Sequence, residues 1–502
     1  MNSSASFFFF CHYGTKIACK KVRLKAAIAV QRDKKNKMED KEMFEKVSTD
    51  VIAELKGIFG EKRVITGEMI GADFAHDELP GGAAHMPEAV VEASSTEEVA
   101  ALMKLCSAAK IPVTVRGAGT GQAGGSVPVE GGIVLSLKGM DQVVSFDEQA
   151  RLLTVQPGVL LQDVKAAAEE HGLYYPPDPG EKTATIGGNV STNAAGPCAL
   201  KYGCTRDYVQ DAVIVLSDGT VTRLSSGEAY TSVIGSEGIL AVITEISLKL
   251  IEKPAADAIL LFPFMDTESC VKAADTIINA GFAPAIAEYM DTDIVEFAGN
   301  VTGNPVFPVE MDGERVAATL MVTIEGDDDD AVMETMEAIA EMAEDLECLD
   351  ILVGDTPTMK RDFWDAHDAF HTAMESGAKC ANEINVTVPS QTVAELVSFA
   401  KDLGAEKALK VMAYAHVGSG GVHIHAVSDR TKEEFAVAFA GFAQAVYAKV
   451  AELGGDIGGE YGVGYAKKAY LKAALSEADN AKLAETKASL DPAGILNPGK
   501  VI

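Results

Sequence analysis

Five of the nine histidines lie between residues 367 and 425, and two stretches there and beyond carry the residue types of a catalytic site. The first is Ala413-Tyr-Ala-His-Val-Gly-Ser-Gly-Gly-Val-His-Ile-His425. Apolar runs on either side of Ser-Gly-Gly read as a β-hairpin, which would bring His416 near His423 across the turn. His423 and His425 share a strand face at period two. The second is Gly454-Gly-Asp-Ile-Gly-Gly-Glu-Tyr-Gly-Val-Gly464, a glycine-rich loop carrying Glu460. Two imidazoles and a carboxylate with one position left open form a catalytic metal set. The alternative is a group of isolated structural histidines, since spacing alone does not bring Glu460 to the hairpin. His367 and His371 are four residues apart and can share a helix face.

The elements that position such a site begin upstream. In Pro112–Ser136 an apolar β-branched run ends at Arg116, five glycines follow between Gly117 and Gly125, and a second apolar run starts at Ile133. Glycine lets a ligand lie against bare backbone, and successive exposed amides form a concave anion site. A nucleotide-binding Rossmann loop would open straight into a helix. Here another strand follows, which argues for a different dinucleotide fold, with a flexible hairpin tip as the alternative. A second stretch, from Pro176 to Arg206, is dominated by glycine and small polar residues, and reads as a long functional loop without structure of its own. A third is Gly235-Ser-Glu-Gly238, leading into an apolar strand. A helix is expected over Glu39–Phe59 from the spacing of Met43, Val47, Val51 and Leu55. Asp327–Asp330 resemble a metal cluster but are better read as acids at the positive end of a helix.

Composition sets the bounds. A chain of 502 residues with 47% hydrophobic residues holds two or three globular domains. The net charge of −31 excludes the basic footprint of a nucleic-acid binder, so no nucleic-acid partner is expected. It also repels anionic substrates, so a site for a carboxylate must supply local positive charge. No run of eighteen apolar residues suggests a membrane span. The eight cysteines form no C-x-x-C, so no iron–sulfur or structural zinc site is read, and free thiols in a reducing cytoplasm are expected. Residues 1–37 differ from the rest: nine Lys/Arg and one acid give +8, leaving −39 for the remainder. They read as a disordered extension or as translation upstream of a natural start at Met38, with a targeting segment as the lesser alternative.

The three glycine stretches together resemble the FAD-binding domain of the vanillyl-alcohol oxidase superfamily. Within it the chain is similar, from about residue 85 to its end, to the branch of D-lactate dehydrogenases, the flavin subunit of glycolate oxidase and D-2-hydroxyglutarate dehydrogenase. The ending Asp491-Pro-Ala-Gly-Ile-Leu-Asn-Pro-Gly-Lys500 fits that branch. The resemblance implies an α+β fold: a two-subdomain PCMH-type FAD-binding domain plus a cap with a ferredoxin-like antiparallel sheet and helices. The implied organisation is a basic extension (1–37), an N-terminal helical segment (38–84), the FAD domain (85–253), a substrate cap (254–413) and a C-terminal segment (414–502) that carries metal and active-site residues back to the FAD domain.

Carried over residue by residue, the resemblance places Arg116, Gly117, Gly119, Thr120, Gly121, Gly124, Gly125 and Ser126 at the FAD pyrophosphate. It places Pro177, Asp178, Gly187, Gly188, Asn189, Thr192, Asn193 and Ala194 along the flavin, with Gly238 and Ile243 in support. It also makes His416, His423 and Glu460 ligands of a divalent cation, zinc by preference. The implied reaction oxidises a D-2-hydroxy acid, of the lactate or glycolate class, to the 2-oxo acid. Electrons would pass to an external acceptor: an iron–sulfur subunit, an electron-transferring flavoprotein or a quinone. A cytoplasmic enzyme follows, with peripheral attachment at the inner membrane through a partner as the variant.

This chain departs from the family at six positions. Tyr461 stands where the family has a His general base, and Ser419 and Gly421 replace an Asp and an Asn. His425 replaces an Asn, His367 the Arg that clamps the substrate carboxylate, and Glu383 a Lys. Either the site is rewired, with His425, His367, His371 or Tyr461 taking the catalytic roles, or it serves a different alcohol-type substrate. A flavin electron-transfer subunit with a decayed site is the non-enzymatic alternative. No His or Cys occupies the first glycine loop, so the FAD is expected to be non-covalent. Acid precipitation should therefore leave the yellow chromophore in the supernatant; flavin retained in the protein pellet would overturn this.

Overall fold

The computed structural model describes residues 44–502, so the basic extension and Met43 lie outside the described residues. The first helix is shorter than its spacing predicts and spans Thr49–Phe59. Ser48 is extended and its side chain accepts from the Val51 amide, a cap that starts the helix there. Before it the chain is tied down otherwise, with Val47 N bonded to Glu88 Oε2 and Glu45 N to the Lys110 carbonyl. The segment before residue 85 is also not purely helical. Val64–Thr66 forms an edge strand antiparallel to Ala89–Glu92. Ala89–Glu92 and Val113–Arg116 then flank Ile133–Ser136 as parallel neighbours. Helix Thr96–Ala109, capped by Ser95, buries Val99, Leu102, Met103 and Cys106 against this sheet.

The second subdomain is a five-stranded antiparallel sheet, in the order Val143–Asp147, Leu152–Val155, Val242–Lys249, Val209–Val215, Val221–Leu224. Between its strands, the stretch read as an unstructured loop holds three short helices, Ile186–Thr192, Ala199–Tyr202 and Thr205–Tyr208. The first forms despite Gly187 and Gly188 because Thr185 Oγ1 accepts from the Gly188 amide and Asn193 closes it in the left-handed region. Gly187 is needed for packing: a Cβ there would lie 2.5 Å from Pro157 Cβ.

The cap is one seven-stranded antiparallel sheet. Its order is Leu352–Gly354, Ala256–Phe264, Ala318–Gly326, Ile286–Asp291, Lys410–His416, Gly421–Ser428, Cys380–Thr387. The expected boundary after residue 413 therefore falls inside a central strand. The hairpin belongs to the cap sheet, and helix Lys432–Glu452 packs Phe442, Val446 and Val450 into the same core. Asp328 caps helix Asp329–Ala340 through the Ala331 amide, so the acid run has its structural role at that helix start.

The chain returns to the first subdomain only after residue 453. Val113 N donates to the Ile495 carbonyl and Asn497 N to the Val113 carbonyl, and Ile495 and Leu496 are buried in the first core. The returning loop lies against the first glycine loop. Gly464 N donates to Glu237 Oε2, and Asn497 Nδ2 bridges the carbonyls of Gly125 and Glu237. Gly464 has φ +49°, and a Cβ there would lie 1.8 Å from the Ala123 carbonyl oxygen. Gly464→Ala should lower the urea midpoint, with a loss above about 1 kcal/mol, and release flavin more readily. An unchanged midpoint and flavin content would show that this contact relaxes freely.

Candidate functional site

Strand register decides which side chains meet. Ala413, Ala415, Val422, Ile424, Ile384 and Val386 face the helices of the cap core. The alternate residues face the other way, towards the glycine loops. Glu288 pairs with His416, which pairs with Gly421. Tyr414, His423 and Asn385 form the next row, and Met412, His425 and Glu383 the row after. Period two thus places three histidines, two glutamates and an asparagine on one buried face.

Each central imidazole is oriented by a carboxylate. His416 Nδ1 lies 2.7 Å from both oxygens of Glu288, and His423 Nδ1 lies 2.7 Å from Glu383 Oε1. Donation of both Nδ1 protons leaves both Nε2 lone pairs facing inward, 3.3 Å apart. Glu460 Oε2 completes the triangle, 3.4 Å from His416 Nε2 and 3.5 Å from His423 Nε2. Bonds of about 2.0–2.2 Å put the ligands of a tetrahedral cation about 3.3–3.6 Å apart. The three donors therefore match three corners of such a site, and two opposed lone pairs beside a carboxylate are a poor arrangement without a positive charge between them. Glu460 is placed by Asn385, whose Oδ1 accepts from the Glu460 amide at 2.6 Å. Lys467 Nζ donates to the carbonyls of Asn385 and Gly458, binding the loop to the strand. Burial alone would raise the Glu460 carboxyl, but the His416 and His423 imidazoles outweigh it and hold it well below the usual carboxylate range.

The histidines of the cap helices are not on one continuous helix. Pro357–Asp368 ends at Ala369, and Phe370–Gly377 starts anew. His367 Nε2 lies 3.2 Å from Glu288 Oε2 and its Nδ1 3.5 Å from Asp368, whereas His371 Nδ1 lies 3.1 Å from Glu383 Oε2. Burial opposes protonation of His367, but Asp368 and Glu288 raise it above the ordinary 6.5.

A cavity of about 750 Å³ runs from this face to the glycine loops. It is lined at one end by His367, His371, Tyr414, His416, His423, Glu460 and Tyr461. At the other end the expected Gly117, Gly119, Thr120, Gly121, Gly125, Ser126, Gly187, Gly188, Asn189, Thr192, Ala194, Gly238 and Ile243 all line it. The amides of Ala118 to Gln122 donate to no protein acceptor among the described residues, a cradle suited to an anionic ligand.

Five expected residues do not line the cavity. Arg116 turns its guanidinium to the His76 carbonyl and Ser126 Oγ. Gly124 packs under the Tyr465 ring. Asp178 holds Lys165 at 2.5 Å, Asn193 Oδ1 accepts from the Arg206 amide, and Pro177 is buried beside Asp178. His425 is also outside the lining. It is 2% exposed and stacked behind Tyr414, and burial pushes it down to about 4. It cannot reach a substrate in the cavity as a base. Tyr461 lines the cavity with its hydroxyl 3.4 Å from His423 Nδ1, but burial, then Glu383, push its phenol well above 10, so it stays protonated.

Sequence reasoning missed Glu288, Asn385 and Glu237, and the lining residues Asp77 and Glu78 from a turn-rich stretch. Nothing local marks them; register and chain return bring them in.

Comparison with known proteins gives consistent matches. The family model for the FAD binding domain matches residues 87–225, and that for the C-terminal domain of FAD linked oxidases matches 253–501. A D-lactate dehydrogenase of Anaerostipes hadrus is 39% identical over 467 residues, covering 91% of this chain and 98% of its own length. The glycolate oxidase subunit GlcD of Bacillus subtilis is 33% identical, covering 83% and 89%. Among solved structures, p-cresol methylhydroxylase with substrate bound superposes with a TM-score of 0.74 at 17% identity, covering 90% of this chain and 96% of that one, a likeness of fold.

Proposed function

The chain belongs to the family of FAD-linked oxidases, and from that premise we propose that it oxidises a D-2-hydroxy acid of the lactate or glycolate class to the 2-oxo acid. Relatives named D-lactate dehydrogenase and glycolate oxidase subunit support the substrate class. The observation that carries the reading is the His416–His423–Glu460 triangle at the cap end of the cavity whose other end the glycine loops line. No Lys or Arg lines this cavity among the described residues, while Asp77, Glu78, Glu181, Glu237, Asp368, Glu375 and Glu460 do. An anionic substrate therefore needs a bound cation, and the triangle is where one fits.

FAD along the glycine loops would supply the hydride acceptor for the substrate α-carbon, and a divalent cation, zinc by preference, held by His416, His423 and Glu460 would lower the pKa of the substrate hydroxyl. Glu288 and Glu383 hold the Nδ1 protons of His416 and His423, so that both Nε2 atoms face forward as ligands. His367, which lines the cavity with Nε2 facing Glu288 and Nδ1 facing Asp368, receives the hydroxyl proton, and the two carboxylates stabilise the imidazolium that forms. Tyr461 keeps its proton and donates to a substrate oxygen. Tyr414, stacked on His423 with ring centroids 4.2 Å apart, walls the site from water on the sheet side. The external acceptor is an iron–sulfur subunit, an electron-transferring flavoprotein or a quinone, because no cluster-binding cysteine motif is present in this chain. Among the described residues no helix is long and apolar enough to cross a membrane, and peripheral attachment would come through that acceptor.

Anaerobic titration tests the reading. D-lactate or glycolate should bleach the visible flavin band, and chelator or His416→Ala should slow bleaching at least about tenfold with flavin content unchanged. A flavin left oxidised by every hydroxy acid would reject it.

The base assignment has a separate signature. A base works unprotonated, so kcat should fall as pH drops through the raised His367 pKa, giving an acid limb above 6.5. Asp368→Asn removes one of the contacts that raise it and should move the limb to lower pH, while His367→Gln should cost about 100-fold or more in kcat with flavin and metal retained. A limb unmoved in Asp368→Asn would assign the proton to another group.

A further inference from the structure

The His416–His423–Glu460 triangle is not the only cluster on this face. One ligand atom each of His371, Glu383 and His425 lie within 4.8 Å of one another. The three come from different elements: helix Phe370–Gly377, the edge strand Cys380–Thr387, and the second hairpin strand Gly421–Ser428. Glu383 and His425 are directly paired across the sheet, and His371 Nδ1 lies 3.1 Å from Glu383 Oε2. Two ligands of one cation with bonds of about 2.0–2.2 Å span about 2.8–4.4 Å. Small side-chain rotations therefore close the set.

Two further observations point to a ligand. His425 is 2% exposed, and its Nε2 is buried with no hydrogen-bond partner. A sequestered imidazole nitrogen beside a buried carboxylate is a donor awaiting an acceptor of its lone pair. The local charge is also unbalanced. Glu288, Glu383 and Glu460 are all buried on this face, Glu375 and Glu78 stand near His371 at the mouth, and no Lys or Arg lines the cavity among the described residues.

We propose that His371, Glu383 and His425 form a second divalent-cation site, linked to the first through Glu383. Glu383 Oε1 holds the Nδ1–H of His423, a ligand of the first site, while Oε2 faces the second. A carboxylate that binds one cation and orients a histidine on another couples the two ions. His371 lines the cavity, so the second cation lies at its edge and receives the carboxylate of the substrate. That last assignment rests on the hydroxy-acid reading above; the metal site itself does not.

The test is stoichiometry. Chelator-treated holoprotein is dialysed against zinc, freed of excess, and its zinc measured by elemental analysis against its flavin. The expected result is two zinc per flavin in the natural chain. His371→Ala and His425→Asn should each retain one, and Glu460→Ala should also retain one, since it removes only the first site. One zinc per flavin in the natural chain, or two retained in both His371→Ala and His425→Asn, overturns the proposal. Should the buried His425→Asn fail to fold, His371→Ala, at a partly exposed helix position, decides alone. The two readings fail separately. Two zinc with a flavin that no hydroxy acid bleaches would reject the substrate and keep the site. One zinc with a flavin that D-lactate bleaches would do the reverse.

Discussion

The arrangement depends on two buried carboxylate–imidazole bonds, Glu288 to His416 and Glu383 to His423. An imidazole offers one lone pair only when its other nitrogen keeps the proton, and these glutamates decide which nitrogen that is. Burying a carboxylate is costly unless it is bonded, and here each is bonded to the ring it orients. Burial pushes Glu288 and Glu383 up, but the imidazoles around them bring both below their ordinary value. Their charge is thus retained inside the protein, and the face as a whole attracts cations.

That face is produced by a sheet whose strands come from distant parts of the chain. Glu288 and His416 are 128 residues apart, and Asn385 and Glu460 are 75 apart. The opposite face of the same strands is largely apolar and packs on helices, so a slip of one residue would exchange the two faces and bury the charges in the core. Register is therefore held by hydrophobic burial on one side, and the polar site is positioned as its consequence. The C-terminal return then closes the cavity. Glu237 accepts from the amides of Val463 and Gly464, and Asn497 bonds both glycine loops. The loop that carries Glu460 is in this way anchored to the dinucleotide cradle.

Local chemistry was legible in the sequence; long-range register was not. The hairpin and the pair His416 and His423 follow from a glycine turn between apolar strands, and the glycine loops follow from glycine spacing. Glu288 sits in an ordinary apolar strand, and only pairing with Lys410–His416 makes it a partner of His416. His425 shows the limit of periodicity. Period two correctly puts it on the face of His423, but one row further from the cavity, behind Tyr414. His367 and His371 show another: spacing of four suggests a shared helix face, whereas the break at Ala369 sends them to Glu288 and Glu383 respectively. The stretch after Thr185 reads as loop because its residues are poor helix formers. Capping by Thr185 and contact with Pro157 override that propensity.

The overall acidity of the chain then has a local meaning. With a net charge of −31 and a cavity lined by carboxylates and no Lys or Arg among the described residues, the long-range field opposes entry of any anion. A guanidinium or ammonium would answer this with one charge carried on a flexible stem. A divalent cation answers with two, on rigid imidazole and carboxylate ligands, and polarises a bound oxygen as well. His367, Glu383 and His425, where the family resemblance implies an Arg, a Lys and an Asn, put imidazole and carboxylate donors on this face in place of fixed positive charge. Such a set fits a site in which bound ions, rather than side chains, would supply the positive charge. Recognition of the anion and activation of its hydroxyl would then depend on the same group of ligands.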